Sequence, residues 1–575
     1  MVEFIDYIRD SGLLDQKQLI SLRDSSTMQY LTTYQYLYTE GSSDAYNIDY
    51  AKLRELITEY LTTQDINLVE VTESRDLECD PSVYRSYGGI TEKNAARIIP
   101  LVQISTGNKI ILMMKPDDAV ERERVKQIYA GAPFSFAVCS PSLWSSLTKL
   151  FVDPLLVGSL AAQMSLNESN AQFSKTVDNS SEARKLYRKL IKAGIDLNAS
   201  DIHFIPCSDT CKVMLRIDGH NSHYTDIPLS IVDKIGNILR NDSQVAVKDP
   251  RMAVDGKVRF SVTGREEDEI DLRISIMPTK KGQDINVRYL SSKLFTFEEL
   301  GMTDKIIKQF RRLLALPTGM IIQVGPTGSG KSTTLYSGLK SVMATKKNII
   351  TIEDPVEIQL EGITQVDVDG EEGAKFGFEE ALKACLRHDP DIIVVGELRN
   401  NNTAALSVRG ANTGHLVITT LHTNDSIGAV DRMLNMRIDP YSLGEVLTAI
   451  MSQRLVRRLC PHCKEPYELD LKSDRARFFR LPNEEGAMTF YKACGCVRCN
   501  NTGYKGRIAI NEILMVDREI RSYIQRHAIR SVYEDYLHKN RFVSMYEDGL
   551  EKAKAGITSL EEMEEYAADT LSFKG

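Results

Sequence analysis

The sequence predicts an α/β protein of several domains, with a parallel-sheet domain in its second half. The chain has 575 residues, and at about 150 residues per domain this corresponds to roughly four domains. From residue 300 onward, helical patterns alternate with apolar runs at 320–324, 349–353, 392–396 and 416–421. This alternation favours a parallel sheet. The first run leads directly into a glycine-rich loop, and this loop is the second observation that indicates the type of α/β domain.

Composition and charge exclude several classes of protein. The chain is 42% hydrophobic and 26% charged, as globular domains usually are. Its net charge of −8 argues against a broad basic face for nucleic acid. The weakly apolar run at 154–164 is too short to cross a bilayer, and no signal segment opens the chain. We therefore expect a cytoplasmic protein that reaches a membrane only through partners.

The first 164 residues mix helix and strand signals and predict an N-terminal α/β interaction domain. "KIILMMKPDD" at 109–118 is typical of a strand that enters a turn, and "SPSLWSSLTKLF" at 140–151 of a helix that begins at a serine and a proline. Residues 165–181 are polar and unpatterned, which predicts a linker.

A small α+β domain is predicted over 182–295. "EARKLYRKLIKAG" has one apolar helical face, and Gly194 is the expected C-terminal stop of that helix. Residues 198–290 then alternate apolar and polar positions in short runs, as strands do. At the other end of the chain, residues 517–575 are predicted to be mostly helical.

The glycine-rich loop has the pattern of a phosphate-binding loop. Residues 325–332 fit G-x-x-x-x-G-K-[ST], after an apolar run and before a helical pattern. Backbone N–H groups would surround the phosphate oxygens, Lys331 would reach the β- and γ-phosphates, and Ser332 would hold Mg²⁺. The predicted nucleotide-binding residues are Gly325, Pro326, Thr327, Gly328, Ser329, Gly330, Lys331, Ser332 and Thr333.

Glu397 is the predicted catalytic carboxylate. It follows the apolar strand 392–395, which we expect to lie beside the strand of the phosphate loop. A glutamate there suits a general base, or a group that orients the attacking water. The alternative is a structural carboxylate that accepts hydrogen bonds from loop N–H groups.

Two further segments carry candidate residues at strand ends. Glu353 and Asp354 follow the strand at 349–353, and His415 and His422 flank the strand at 416–421. The two histidines are spaced by seven positions, so an unbroken strand would direct them to opposite faces. We therefore predict different roles for them.

Together these motifs resemble a known family. The phosphate loop, "TIEDPVE", "LRHDPDIIVVGELR", "TGHLVITTLHTND" and "SQRLVRRLC" occur in the order found in the type II secretion and type IV pilus assembly ATPases. The resemblance is dense over 182–575 and looser over the first 150 residues. It implies a RecA-like P-loop ATPase core at 296–459, a PAS-like fold for the small domain, and a homohexameric ring.

The resemblance also assigns roles to individual residues. It places Lys331, Ser332 and Thr333 in Walker A, Glu353 in the Asp box, Glu397 in Walker B, and His415 and His422 in the His box. It further implies that Arg216, Arg273 and Arg288 face the nucleotide, although each could instead form a surface ion pair. Asn400, Asn402 and Ile205 stand where the family usually has acids.

Two C-x-x-C pairs predict a metal site. Cys460, Cys463, Cys496 and Cys499 could bind Zn²⁺ tetrahedrally and leave no open position, as in structural zinc sites. Cys494 and His462 are alternative ligands, and the family pattern favours Cys496. The resemblance places a tetracysteine module at 460–516. A reduced, metal-free module and a disulfide are the alternatives.

The resemblance therefore implies a hexameric cytoplasmic motor ATPase, and we expect it to use ATP, Mg²⁺ and Zn²⁺. The resemblance implies that it drives assembly of a type IV pilus, or of a type II secretion pseudopilus, through a polytopic inner-membrane platform protein and cytoplasmic assembly proteins. Two alternatives stay open. A P-loop small-molecule kinase would need an acceptor pocket, and a zinc-containing nucleic-acid motor would need a basic stripe that the composition does not show.

Overall fold

The architecture is taken from a computed structural model of the chain. The residues that the structure describes are 7, 10–12, 50–69, 73–87, 90–95, 97–114, 119–130, 132–171, 179–243, 252–262, 269–290, 294–343, 347–368, 376–482 and 485–571.

The chain divides into two compact units. The first contains residues 1–290 together with 460–463 and 494–503, and the second contains 291–459, 464–493 and 504–575. The four cysteines of the predicted metal site thus group with the N-terminal half, although they lie far from it in sequence.

A five-stranded mixed sheet forms the N-terminal part of the first unit. Its spatial order is β1-β5-β4-β3-β2; β5 is parallel to β1 and β4, and the other pairs are antiparallel. Its strands are β1 (Ile66–Leu68), β2 (Leu77–Cys79), β3 (Ile98–Gln103), β4 (Lys109–Met113) and β5 (Phe134–Val138). The helices around it are Tyr50–Thr63, Ser82–Ser86, Glu92–Ala95, Ala119–Ile128 and Pro141–Leu147, with a 3₁₀ turn at Glu73–Asp76. The predicted strand at 109–118 is present as β4, and residues 115–118 lie outside the described residues.

The predicted linker at 165–181 is wrong for much of its length. A helix runs from Asp153 to Ala171, preceded by a π-helical turn at Thr148–Val152, and the next helix spans Asn179–Asp196. Residues 172–178 lie outside the described residues. The prediction relied on the polarity of the segment. Polar residues can form a helix, and the segment contains no glycine or proline that would end one.

Gly194 is not the helix stop that the sequence predicts, because the helix continues to Asp196. The glycine instead makes room for a neighbouring side chain. A Cβ atom at this position would lie 2.1 Å from the hydroxyl oxygen of Tyr289, which donates a hydrogen bond to the carbonyl of Ile191. Close packing against the sheet explains this glycine better than helix termination.

The second sheet of this unit has six antiparallel strands, in agreement with the sheet-rich segment predicted at 198–290. Its order is β8-β7-β6-β11-β10-β9. The strands are β6 (Ala199–Pro206), β7 (Thr210–Ile217), β8 (His220–Pro228), β9 (Val254–Ser261), β10 (Glu269–Thr279) and β11 (Gly282–Leu290). Helices Asn179–Asp196 and Leu229–Asp242 contribute to the apolar core of this sheet. The PAS-like label stays a prediction.

The second unit is built on six parallel strands, as the alternating pattern predicts. They are β12 (Gly319–Val324), β13 (Ile349–Glu353), β14 (Thr364–Asp367), β15 (Ile392–Val395), β16 (Leu416–Leu421) and β17 (Leu447–Leu459). Three apolar clusters form the core of this unit. The helices of this region are Asp304–Leu314, Lys331–Val342, Phe378–Cys385, Asn401–Asn412, Ser426–Asn435 and Pro440–Val446.

The order of the strands corrects one expectation. The sequence predicts that β15 lies beside β12, but the observed order is β14-β13-β15-β16-β12-β17. Strand β16 therefore separates the strand that precedes Glu397 from the strand that precedes the phosphate loop. Strand order cannot be deduced from the apolar runs themselves, because all of them are buried in the same way.

The predicted cysteine module at 460–516 divides into two parts. Strands β18 (Glu465–Asp470) and β19 (Ala487–Lys492) form a separate hairpin with the helix Asp474–Phe478. Strand β20 (Tyr504–Met515) instead pairs antiparallel with β17 and completes the central sheet as its seventh strand. The helical C-terminal region is present as Arg518–Gln525, Arg530–Lys539, Met545–Lys554 and Leu560–Leu571. Within the described part of the chain, none of the helices combines the length and apolar character that a membrane crossing requires.

Candidate nucleotide and metal sites

The phosphate loop connects β12 to the helix Lys331–Val342, as the motif requires. Gly330 is the N-cap of this helix and has φ +83°, a conformation that favours glycine. The loop therefore places a helix N-terminus, with its unpaired N–H groups, at the carboxyl edge of a parallel sheet. This is the general arrangement of phosphate-binding sites.

The ammonium group of Lys331 lies at the base of the loop. It donates hydrogen bonds to the carbonyl oxygens of Gly325 at 2.7 Å and Pro326 at 3.0 Å. Burial lowers the pKa of Lys331, and the carboxylate of Glu397 acts in the opposite direction. An ammonium group has three donors, so two hold the loop and one is left for a phosphate oxygen.

Glu397 follows β15 at the same edge of the sheet. The hydroxyl of Thr420 donates to the carbonyl of Gly396 at 2.6 Å, and the hydroxyl of Thr419 donates to the carbonyl of Val395 at 2.9 Å. Both threonines belong to β16. Strand β16, which lies between β15 and β12, therefore fixes the backbone of Glu397.

The carboxylate of Glu397 is part of a small charged network. It accepts a hydrogen bond from the Nε of Arg399, and the Nε2 of His422 lies 3.3 Å from its Oε2. Arg399 also approaches the carboxylate of Asp354, with 3.2 Å between Nη2 and Oδ2. The structure thus brings Glu397 and His422 together, as their positions after two adjacent strands lead one to expect.

Glu353 has a different environment from Glu397. It is buried, and its carboxylate accepts hydrogen bonds from Tyr336, Thr351 and Gln365. Burial, and then the contact with Glu353, raise the pKa of the Tyr336 phenol. Because Tyr336 belongs to the helix of the phosphate loop, Glu353 links this helix to β13. A direct role of Glu353 on water or metal stays a prediction.

His415 and His422 lie at opposite ends of strand β16. One residue precedes β16 and the other follows it, so about 20 Å of strand separates them at about 3.3 Å per residue. The Nδ1 of His415 lies 2.8 Å from the carbonyl oxygen of Gly410 and 3.2 Å from the hydroxyl of Thr413. The structure does not bring this predicted catalytic residue to the phosphate loop.

The three predicted arginines share one row of the six-stranded sheet. The register places Arg216 opposite Asp201, Asp201 opposite Arg288, and Arg288 opposite Arg273, which itself pairs with Lys257. Directly paired residues project from the same face of a sheet. The Nε of Arg288 donates to Asp201 at 2.8 Å, and all three arginines are exposed. The row therefore carries four cations and one anion on an exposed face.

Two of the residues that depart from the family pattern make local hydrogen bonds. The side chain of Asn400 caps the helix Asn401–Asn412, because its Oδ1 accepts from the N–H of Thr403 at 2.9 Å. Asparagine caps a helix as well as aspartate does. The amide of Asn402 donates to Glu379 at 3.1 Å, and Ile205 is 40% exposed.

The four predicted zinc ligands lie together. All four side chains are buried, and their sulfur atoms lie within 4.8 Å of one another. Three of the S···S distances are 3.8–3.9 Å. Zn–S bonds of about 2.3 Å in a tetrahedron place the sulfurs about 3.8 Å apart. The residues therefore fit Zn²⁺, which would have a structural role here.

Hydrogen bonds favour a thiolate in this group. The Sγ of Cys499 accepts from the backbone N–H groups of Cys496 and Gly503, both at 3.2 Å. The contact with the Cys496 thiol, together with these amides, lowers the pKa of Cys499, whereas burial raises the pKa of Cys463 to about 12. The alternative ligands are not members of this group: Cys494 packs against it, and His462 contacts Arg498.

The second pair of cysteines also has an apolar contact. Val497, between Cys496 and Cys499, is 2% exposed and belongs to the core of the N-terminal sheet. Its neighbours there include Leu143 and Trp144, on the helix Pro141–Leu147. The turn that carries Cys496 and Cys499 is thus part of the N-terminal core.

We predict that the purified protein contains about one Zn²⁺ per chain, since four thiolates satisfy its tetrahedral geometry. Cys496→Ser should lose the metal, and Cys494→Ser, the matched control two residues away, should retain it. Metal analysis by inductively coupled plasma spectrometry measures both. The ligand assignment would be wrong if Cys494→Ser lost the zinc and Cys496→Ser retained it.

Two residues of the nucleotide site were not predicted. Tyr336 lies five residues after Lys331 and binds Glu353, and Gln453 contacts the phosphate loop from β17. The sequence offers a weak signal for Gln453, which stands in the "SQRLVRRLC" motif. It offers none for Tyr336.

Comparison with known proteins decides the family. The family model described as "Type II/IV secretion system protein" matches residues 176–565 of the chain. The chain belongs to this family. The resemblance predicted from the motifs is therefore confirmed, and the match covers the small domain, the central sheet and most of the C-terminal helices.

Individual members of the family are similar over most of the chain. The type IV pilus assembly ATPase PilB of Thermus thermophilus is 36% identical over 473 residues, which is 80% of this chain and 52% of that protein. The chain thus spans about half of this relative's length. The type II secretion system ATPase E of Vibrio cholerae is 34% identical over 473 residues, which is 82% of this chain and 87% of that protein. Both names agree with the predicted enzyme class, an ATP hydrolase.

A solved structure confirms the predicted α/β fold class. The ATPase DotB of Yersinia pseudotuberculosis matches with a TM-score of 0.50 and 18% identity. The match covers 67% of this chain and 93% of that chain. At this identity the likeness concerns the fold alone.

Proposed function

We propose that the chain is a motor ATPase that uses ATP hydrolysis to assemble a type IV pilus or a type II secretion pseudopilus. One observation carries the hydrolytic part: the phosphate loop and Glu397 meet at one edge of a parallel sheet, with His422 beside the carboxylate. The loop would bind the phosphates, and the carboxylate would act on water. The names of the relatives support the type of machine.

The proposed roles follow from the contacts in the site. Lys331 would donate to the β- and γ-phosphates, and Ser332, in the first turn of the helix, would hold Mg²⁺. This ion, when bound, would neutralise phosphate charge. Glu397 would accept a proton from the attacking water or orient it. Arg399 and His422 would keep its carboxylate in place, since both contact it.

We also propose that the active form is a hexameric ring at the cytoplasmic face of the inner membrane. The row of Arg216, Arg288 and Arg273 would then neutralise charge on a nucleotide bound in the ring. Its exposure and excess of positive charge support this role. A membrane platform protein and cytoplasmic assembly proteins are the proposed partners, and the Zn²⁺ site would stabilise the cysteine module.

The proposed function predicts that the purified chain releases phosphate from MgATP with no small-molecule acceptor and no stimulation by DNA. The rate per subunit should fall on dilution, because the ring dissociates. Arg273→Ala should lower this rate. Arg259→Ala, which removes an exposed arginine from the same sheet face beside Asp271, is the matched control.

Each contrary result has a different meaning. Hydrolysis that requires an acceptor would indicate a kinase, and stimulation by DNA would indicate a nucleic-acid motor. A rate per subunit that stays constant down to a monomer would overturn the ring.

A further inference from the structure

The side chain of Gln453 lies beneath the phosphate loop. Strand β17 pairs in parallel with β12 up to Val324 and Ser452, so Gln453 is the residue next to the start of the loop at Gly325. Its side chain is fully buried, with 0% exposure. Burying an amide costs free energy unless its polar ends find hydrogen-bond partners.

Both ends of the amide bind the phosphate-loop segment. The Nε2 group donates to the carbonyl oxygen of Ser329 at 2.7 Å, and the Oε1 atom accepts from the hydroxyl of Thr334 at 2.8 Å. Ser329 lies in the loop, whereas Thr334 lies in the first turn of the following helix. One side chain thus joins the two segments that surround the phosphates.

The loop also packs tightly on this residue. A Cβ atom at Gly330 would lie 2.9 Å from the Nε2 of Gln453, and one at Gly325 would lie 2.4 Å from its carbonyl oxygen. The contact with a backbone oxygen excludes a side chain at Gly325, whereas at Gly330 the φ of +83° disfavours one. Gly325 is therefore required here partly because the backbone of Gln453 occupies the space beneath it.

We propose that Gln453 is a positioning residue that holds the phosphate loop in its nucleotide-binding shape, an inference that rests on the proposed ATPase function. A carbonyl group and the N–H group of the next residue lie in one peptide plane. Holding the carbonyl of Ser329 therefore also fixes the N–H of Gly330. The contact with Thr334 fixes the first helical turn in the same way.

Gln323 offers a matched comparison in the same sheet. It lies on β12 and is 2% exposed, and neither polar atom of its side chain hydrogen-bonds to any residue that the structure describes. Gln453→Leu and Gln323→Leu therefore remove the same buried amide from neighbouring strands. Only the first substitution removes contacts to the loop.

The experiment measures the affinity for MgADP by isothermal titration calorimetry, and KM and kcat for MgATP. Gln453→Leu should weaken MgADP binding about tenfold or more and raise KM, because it leaves the carbonyl of Ser329 without this donor. Gln323→Leu should bind within about twofold of wild type. The proposal is overturned if Gln453→Leu binds as wild type does, or if both variants lose affinity equally.

Gln453→Glu tests the hydrogen bond directly within one folded protein, and it decides the question if Gln453→Leu does not fold. An ionised carboxylate cannot donate to Ser329, whereas a protonated carboxyl group can. Burial raises the pKa of a carboxyl group, so the group should regain its proton as pH falls from about 8.5 to about 5.5. Relative to wild type, MgADP affinity should be weakest at high pH and should recover at low pH.

The affinity of Gln453→Glu for MgADP, divided by that of wild type, could be low at every pH. This result would show that Gln453 acts only through general packing, and it would overturn the proposal. Failure of the wild-type chain to bind MgADP is a separate outcome. It would contradict the proposed ATPase function itself.

Discussion

Lys331→Ala should reduce ATP hydrolysis to the level of a blank without enzyme. The substitution removes the ammonium group at the base of the phosphate loop, which is held by the carbonyl oxygens of Gly325 and Pro326. Without this group, no lysine of the motif neutralises the negative charge on the β- and γ-phosphates. Phosphate release by the purified variant, at saturating MgATP, measures the effect.

Lys340→Ala is the matched control for this prediction. Lys340 lies on the same helix and is exposed, so its loss removes a positive charge without touching the loop. It should retain the wild-type rate. If Lys331→Ala turned over ATP at a near-normal rate, the assignment of the loop as the nucleotide site would be wrong.

Glu397→Gln should still bind ATP but hydrolyse it on the order of 10²-fold more slowly, or worse. The amide has the shape and volume of the carboxylate and can still accept from Arg399, but it cannot take a proton. Single-turnover hydrolysis, together with nucleotide binding by calorimetry, separates the two steps. Rings that contain the variant should stay loaded with ATP, so the variant should block assembly even beside wild-type subunits.

The comparison with Glu353→Gln gives this second prediction its control. Glu353 accepts three hydrogen bonds from side chains, so its substitution should disturb the link between β13 and the helix of the loop. If Glu397→Gln hydrolysed ATP normally and Glu353→Gln were inactive, the two roles would be exchanged. Glu397 would then be a structural acid after its strand.

The parts of the site that follow one another in sequence were predictable. The phosphate loop needs a preceding strand, a glycine-rich turn and a following helix, and all three follow one another directly within residues 319–342. Glu397 and His422 could be placed as well, because each follows an apolar strand and parallel strands end at one edge of the sheet. Local pattern and one general rule were sufficient for these residues.

What depends on pairing between distant segments could not be predicted. β16 lies between β12 and β15, so about two strand spacings, or roughly 10 Å, separate the loop strand from the strand of Glu397. The same limit applies to β20, which the sequence assigns to the cysteine module, and to Gln453, whose partners are more than 100 residues away. Hydrophobic periodicity shows that a segment is buried but not which segment lies beside it.

The burial of Val497 has a consequence for biosynthesis. The core of the N-terminal sheet includes Leu147 and Val497, and the ribosome adds the second about 350 residues after the first. At about 5–20 residues per second, this delay lasts about 20–70 s. During that time the nascent N-terminal domain exposes the apolar surface that Val497 and its turn will cover. Its folding is therefore completed late in translation, and it is the part of the chain in which we expect the greatest need for chaperones.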